Sequence, residues 1–235
     1  MINDSNNSDN FENRQTGGFG PDYDDGFGTG ATEGLLLPPW ERRERFGFLN
    51  GLYLTIKDVL LAPGMFFHRM PSQVGLLQPL YFAVVLGVVA SFFAWMWSLT
   101  GSSLQMFMAE DLEEVVKGPF YSFIGFLFSP ISVAFLVFVK AALIHGVLML
   151  VGGNRLGFEA TFRVAAYGEA AGILALIPAC GSVIGVVWSL VVTVVGLYSI
   201  HETDPWRAVV AVVAPAILCF SALAISVVSV ILALG

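Results

Sequence analysis

Two charged side chains interrupt stretches that are otherwise apolar, Lys140 in FLVFVKAALIHG and Glu169 in VAAYGEAAG. A lone charge in the hydrocarbon core of a bilayer is costly, so a charged partner is expected for each. Counted along helices that rise about 1.5 Å per residue, both residues lie roughly 14–17 Å from the same end of neighbouring antiparallel segments. We therefore predict that Lys140 and Glu169 meet in the middle of the membrane.

His145 and Tyr167 lie nearer that end and could extend the pair into a polar network. Such a network would suit a proton or ion relay, or a buried polar substrate site. Two structural interpretations stay open beside these. The pair could fix the register of two packed helices, or Lys140 could face water in a half-open groove.

No other group of residues has the spacing of a catalytic or metal centre. His68, His145 and His201 are far apart in sequence, and the two cysteines are too few for a disulfide framework or a zinc site. The glycine-rich run 152–157 joins two apolar segments, whereas a phosphate-binding loop joins a strand to a helix. We expect no catalytic residue, no metal or other cofactor and no nucleic-acid partner.

The composition indicates that lipid surrounds most of the chain. Of its 235 residues, 56% are hydrophobic and 12% are charged, whereas a soluble domain carries about 25% charged residues. Five segments approach the roughly 20 apolar residues that span a bilayer as a helix. They are Leu77–Trp97, Leu127–Val151, Ala160–Ile177, Val183–Ile200 and Ala208–Ala233. We predict an all-α polytopic integral membrane protein whose five-span membrane domain covers residues 77–235.

The third and fourth segments are separated only by residues 178–182, which predicts a tight helical hairpin. A re-entrant pair that never crosses the membrane is the alternative. Arg and Lys favour the cytoplasmic ends of spans, and eight of them fall on the side of the N-terminus, against Lys117 alone on the other. The bias predicts a cytoplasmic N-terminus and a C-terminus outside.

The first 39 residues are polar and acidic. They hold seven acids and one base, with single aromatic residues among Asn, Asp, Ser and Gly. Too little apolar surface is present to offset the entropy of ordering the chain. We predict that residues 1–39 form a disordered acidic tail, with a short linear docking motif at residues 19–23 as the functional alternative.

Residues 40–76 carry the pattern of a helix that lies in the membrane interface. Apolar residues recur at helical spacing from Leu49 to Leu60, behind the basic cluster Arg42, Arg43 and Arg45, and this combination suits an anionic leaflet. Prolines then divide the chain into a second short piece at headgroup level, which leads to the first span. Its marker residues are Pro63, Phe66, Phe67, Arg69, Pro71 and Pro79.

Small residues recur at four-residue spacing in three of the predicted spans, a pattern that lets helix backbones approach closely. The stripes are Ala83, Gly87 and Ser91; Gly168 and Gly172; and Gly181, Gly185, Ser189 and Thr193. They predict either contact between copies in a homo-oligomer or packing within one bundle.

Taken in order, several loose motifs resemble a known family. They are Pro63–Phe67, Met70-Pro71, Pro79–Ala83, Gly152-Gly153, Thr161–Tyr167, Ile177-Pro178, Trp188 and His201. From about residue 50 to residue 235 the chain resembles the bacterial branch of the Yip1-domain family. The resemblance implies a five-span protein of the bacterial inner membrane with a cytoplasmic N-terminus.

Eukaryotic members of that family organise early secretory membranes and contact Rab GTPases. Their motif ahead of the first span, Asp-Leu-x-Gly-Pro, would align with residues 75–79, where Gly75 and Gln78 replace the Asp and the Gly. The resemblance implies a non-enzymatic, membrane-organising or adaptor protein that acts through the lipid bilayer and partner proteins. The alternative is a small transporter or lipid-translocating protein that uses Lys140 and Glu169.

Overall fold

A computed structural model describes residues 36–105, 112–177 and 180–234. All regular secondary structure in these residues is helical, in agreement with the predicted class. The predicted acidic tail lies outside the described residues as far as residue 35. The predicted hairpin between the third and fourth segments also falls partly outside them, at residues 178 and 179.

Four short helices precede the first long one. A 3-10 helix, Pro39–Arg42, leads into α1 (Arg43–Phe46), α2 (Phe48–Leu61) and α3 (Pro63–Arg69). Gly47 joins α1 to α2 with a φ of 76°, a conformation that glycine adopts without strain. Pro63 opens α3, where the missing proline N–H leaves no helical hydrogen bond unmade.

Helix α2 does not present its predicted apolar face to one environment. Its buried side is the stripe Gly51, Thr55 and Val59, while Leu49 and Tyr53 are 76% and 63% exposed. The small stripe turns inward because Pro39 packs directly on Gly51, where a Cβ would lie 3.0 Å from the Pro39 carbonyl oxygen. The predicted face is therefore divided between the protein core and the outer surface.

Three described helices are long and apolar enough to cross a membrane. These stretches are Leu77–Leu99, Pro119–Leu150 and Val183–Ile200. They belong to α4 (Leu77–Gln105), α5 (Leu112–Leu150) and α7 (Gly181–Ile200). They correspond to the first, second and fourth predicted spans.

The other two predicted spans differ from this group. The third is an α-helix, α6 (Gly157–Tyr167), continued by a second 3-10 helix, Gly168–Leu176. Nine 3-10 residues are an unusually long run, and glycines at 168 and 172 weaken the α-helical alternative. The fifth is α8 (Pro205–Leu234), in which Pro205–Cys219 forms a shorter apolar helix.

A cluster of aromatic rings forms the core where the N-terminal helices meet α4 and α6. Trp40, Phe67, Phe82 and Tyr167 are fully buried. The rings of Trp40 and Phe82 lie 5.8 Å apart, and those of Phe82 and Tyr167 lie 5.0 Å apart. Tilted and edge-on contacts of this kind stabilise aromatic pairs beyond the area that they bury.

The small-residue stripes are used within the chain. A Cβ on Gly87 would lie 2.5 Å from Val133 of α5, and one on Gly185 would lie 3.1 Å from the carbonyl oxygen of Ala171. The stripes on α4 and α7 thus let these helices approach α5 and the second 3-10 helix. These contacts agree with packing within one bundle, and the association of copies through the stripes stays a prediction.

Candidate functional site

The structure brings Lys140 and Glu169 together. Lys140 Nζ of α5 donates to Glu169 Oε1 of the second 3-10 helix over 2.8 Å. The two side chains are 31% and 32% exposed. The ion pair therefore lies at a surface that is open on one side, and it borders a cavity.

The cavity has a volume of about 430 Å³ and lies between α5, the second 3-10 helix, α7 and α8. Most of its wall is apolar. The polar side chains that line it include Lys140, Glu169, Ser189 and Thr193. The Thr193 hydroxyl donates to the Ser189 carbonyl oxygen over 2.7 Å, so its hydrogen bond is made within α7.

His145 and Tyr167 do not extend this ion pair, contrary to the prediction. Tyr167 donates its hydroxyl to Glu41, and His145 Nδ1 lies 3.0 Å from Thr161 Oγ1. Tyr167 and Glu169 are two positions apart on adjoining helices, and residues at that spacing do not share a face. The four polar side chains predicted as one network belong to three separate clusters.

The first of the other clusters is a buried ion pair that sequence reasoning missed. Arg163 Nη2 donates to Glu41 Oε1, and these side chains are 0% and 4% exposed. Tyr167 donates to the same carboxylate, and Arg163 Nη1 donates to the Gly75 carbonyl oxygen over 3.1 Å. Arg163 lies within a predicted span, so the expectation of a partner for every charge there was the signal that could have found it.

Trp40 fixes the segment that carries Glu41. Its backbone N–H donates to Thr55 Oγ1 and its indole Nε1–H to the Gln78 carbonyl oxygen, each over 2.9 Å. The guanidinium of Arg43 lies 4.4 Å from the Trp40 ring centroid and also donates to the Gln78 side chain. The N-terminal 3-10 helix is thereby attached to the beginning of α4.

Glu159 and Arg163, one turn apart on α6, hold the loop before α4. The Glu159 carboxylate accepts hydrogen bonds from the backbone N–H groups of Val74 and Gly75. Arg163 binds the Gly75 carbonyl oxygen, so both backbone groups of Gly75 are held by α6. Gly75 has a φ of 103°, which only glycine adopts readily.

The second cluster links two imidazoles through one hydroxyl. Thr161 Oγ1 lies 3.0 Å from both His145 Nδ1 and His201 Nε2. His201 Nδ1 accepts the backbone N–H groups of Arg155 and Leu156 over 3.3 and 3.2 Å. Nδ1 is therefore unprotonated, and Nε2–H donates to Thr161.

Burial keeps His201 neutral. Burial, and to a smaller extent the nearby His145, lower the pKa of this imidazole to about 4. Its two backbone partners lie in the connection between α5 and α6. Neutral His201 thus ties that connection to the end of α7.

Among the described residues, no group of His, Cys, Asp and Glu could hold a metal ion.

The predicted markers ahead of the first span are divided between core and surface. Phe67 and Pro79 are buried, Pro63, Phe66 and Pro71 are half-buried, and Arg69 is exposed. Phe67 packs so closely on α7 that a Cβ on Gly196 would lie 2.8 Å from its ring. Phe67 therefore faces the protein core, because the missing side chain of Gly196 opens a slot that its ring fills, and its placement at headgroup level stays a prediction.

Comparison with known proteins supplies the family. The model of the Yip1 domain matches residues 57–226. A search of curated proteins and a search of solved structures found no match. The match includes Lys140, Arg163 and His201, whereas Trp40 and Glu41 precede it. Since it covers well over half of the chain, this membrane protein belongs to the Yip1 domain family.

Proposed function

We propose that this chain is a non-enzymatic adaptor that organises a membrane by holding partner proteins at its surface. The observation that carries the proposal is the outer face of α2 and α3, defined as Leu49, Tyr53, Lys57, Leu61 and Met65. All five side chains are exposed. Large apolar side chains on an outer surface indicate contact with lipid or with another protein.

The surroundings of the outer face suit the membrane interface. Arg45, Lys57 and Arg69 are exposed along the same region, and cations of this kind are attracted to an anionic leaflet. The buried side of α2 is fixed by Thr55 and Gly51 against the segment that carries Trp40. A rigidly mounted helix with apolar and basic side chains outward is suited to recruit partners near the headgroups.

Family membership supports the non-enzymatic part of the proposal, because the Yip1 domain family is generally non-enzymatic. No observation favours the transporter alternative. The location that we propose is the bacterial inner membrane, with the N-terminus in the cytoplasm and the C-terminus outside. The distribution of Arg and Lys and the likeness to bacterial members support that orientation.

The test compares the partners of matched variants in native membranes. Leu49→Glu combined with Tyr53→Glu places charges on the outer face, while Asn50→Glu adds a charge at an exposed position beside it. Proteins cross-linked to each variant are quantified by mass spectrometry. We expect a defined set captured by the wild type and by Asn50→Glu to fall about tenfold with the double variant, while membrane insertion is unchanged.

A second arm deletes residues 1–34 and leaves the segment 36–46 in place. Loss of a subset of partners would assign those partners to the acidic tail. If both the deletion and the double variant capture the same proteins as the wild type in the same amounts, the adaptor function is wrong.

A further inference from the structure

The cavity beside Lys140 and Glu169 has the properties of a ligand site. Its volume of about 430 Å³ falls within the roughly 300–1,000 Å³ of small-molecule pockets, which are mostly apolar and hold a few polar groups. Here the apolar wall comes from α5, α7 and α8, and the ion pair supplies a polar group at one position.

The ion pair has hydrogen-bonding capacity left over. A Lys ammonium carries several donors and a carboxylate several acceptor positions. Among the described residues, Lys140 and Glu169 each make one side-chain hydrogen bond, the one that joins them. Lys140 lies within the apolar stretch Pro119–Leu150, and in a hydrocarbon core no bulk water would satisfy the remaining groups. A ligand that both donates and accepts a hydrogen bond would satisfy a donor of Lys140 and an acceptor of Glu169 together.

Access to the cavity is from the lipid. Leu136, Val139 and Leu143 line the cavity on α5, and all three are exposed. They belong to the stretch Pro119–Leu150, which is apolar and long enough to cross a membrane. The opening therefore lies on a lipid-facing side of α5, and a ligand would enter from the bilayer.

The charge of the pair restricts the ligand further. Lys140 and Glu169 together are neutral, and a charged ligand would leave a net charge in a medium of low dielectric constant. We propose that the cavity binds an uncharged membrane amphiphile, a hydrocarbon chain with one hydroxyl-like group that hydrogen-bonds to both Lys140 and Glu169. The proposal does not depend on the adaptor function, since it concerns a lipid inside the bundle.

The experiment uses the full chain, purified and reconstituted in liposomes. The probe is a long-chain alcohol with a photoreactive diazirine in its chain, compared with its methyl ether and with the corresponding carboxylic acid. The ether accepts but does not donate a hydrogen bond, and the acid introduces a charge. Labelled peptides are identified by mass spectrometry.

We expect the alcohol to label residues 133–144 and 212–219 about tenfold more than either comparator does. Ala216→Phe fills the cavity from α8 and should lower that labelling about tenfold. Ile217→Phe adds the same ring one residue further, on the exposed side of α8, and should leave labelling unchanged. Unlabelled alcohol should compete with the probe.

A variant with both Lys140→Leu and Glu169→Leu keeps the hydrocarbon wall and removes the polar group. The alcohol and the ether should label this variant equally. The variant also provides a second test if Ala216→Phe does not fold. Equal labelling of the wild type by alcohol and ether would overturn the proposal, as would equal labelling by the acid. The proposal would also be overturned if the probe labelled all lipid-facing helices uniformly and Ala216→Phe did not alter that labelling.

Discussion

Arg163 and Glu41 form an ion pair from which solvent is almost fully excluded, between α6 and a segment that precedes the family-matched region. Such a pair is not in itself a large source of stability, because removing two charges from water offsets much of their attraction. Removing one partner is different, since the other charge is then left buried and uncompensated. The pair therefore makes correct attachment of the N-terminal segment a condition for a stable fold.

Glu41→Gln should be strongly destabilising for this reason. We expect a loss of roughly 3–5 kcal/mol in the free energy of unfolding, measured by thermal or denaturant unfolding of the purified protein in detergent. Tyr167→Phe removes one hydrogen bond to the same carboxylate and should cost about 1–3 kcal/mol.

Glu44→Gln is the matched control, because Glu44 lies in the same segment and is exposed. Its substitution should change stability by less than about 0.5 kcal/mol. If Glu41→Gln were as mild as Glu44→Gln, the buried pair would have no energetic importance.

Of the ion pairs Lys140–Glu169 and Arg163–Glu41, only the first was predicted from the sequence. Lys140 and Glu169 lie within long apolar segments whose ends can be recognised in the sequence. Counting the helical rise from those ends therefore predicted the same depth in the membrane for both residues. Glu41 lies 122 residues from Arg163, in the charged run Glu41–Arg45, which has the composition of a solvated surface. Its burial depends on the way that Trp40 and Pro39 pack against α2, and periodicity does not reveal such packing.

The five predicted spans show a second limit of prediction from the sequence. An apolar segment indicates that the chain lies within the membrane. Its hydropathy does not show whether it forms an α-helix or the 3-10 helix that is found at Gly168–Leu176. Gly168 and Gly172 weaken the α-helical alternative there, and α7 approaches the segment closely where Gly185 meets Ala171. Likewise, Gly196 decides that Phe67 is buried, although its neighbours in sequence favour a surface position. Local patterns therefore predicted element type better than they predicted which side chains face the core.

The Lys140–Glu169 pair should behave as a unit when stability is measured. Lys140→Leu or Glu169→Leu alone leaves one charge without its partner, whereas the double variant leaves none. We expect each single variant to lower the thermal unfolding midpoint in detergent and the double variant to recover most of the loss. A double variant as unstable as the sum of the two singles would show that the charges act independently.

Stability should fall in mild acid because of His201. Its pKa is about 4 in the fold, against 6.5 for the ordinary imidazole, so the unfolded state binds more protons between these values. The contribution of His201 is therefore complete above pH 6.5 and is lost as the pH falls towards 4, by up to about 3 kcal/mol. Unfolding midpoints measured from pH 7.5 to pH 4 test this.

His201→Gln keeps a hydrogen-bonding side chain and cannot titrate, so it should flatten the decline between pH 6.5 and pH 4. His68→Gln is the control, because His68 is exposed, and it should keep the decline of the wild type. An equally steep decline in His201→Gln would assign the pH dependence to other groups.

Substitution of Gly181 tests whether the small-residue stripe on α7 packs inside one chain. A Cβ at this position would lie 2.1 Å from the Leu174 carbonyl oxygen. Because that atom is backbone and cannot rotate away, Gly181→Ala should cost about 1–3 kcal/mol of stability. Gly146→Ala meets nothing within 4 Å on α5 and should be neutral or slightly stabilising. Light scattering of both variants in detergent should give the mass of the wild type. A stable Gly181→Ala protein of altered mass would instead show that the stripe joins two copies.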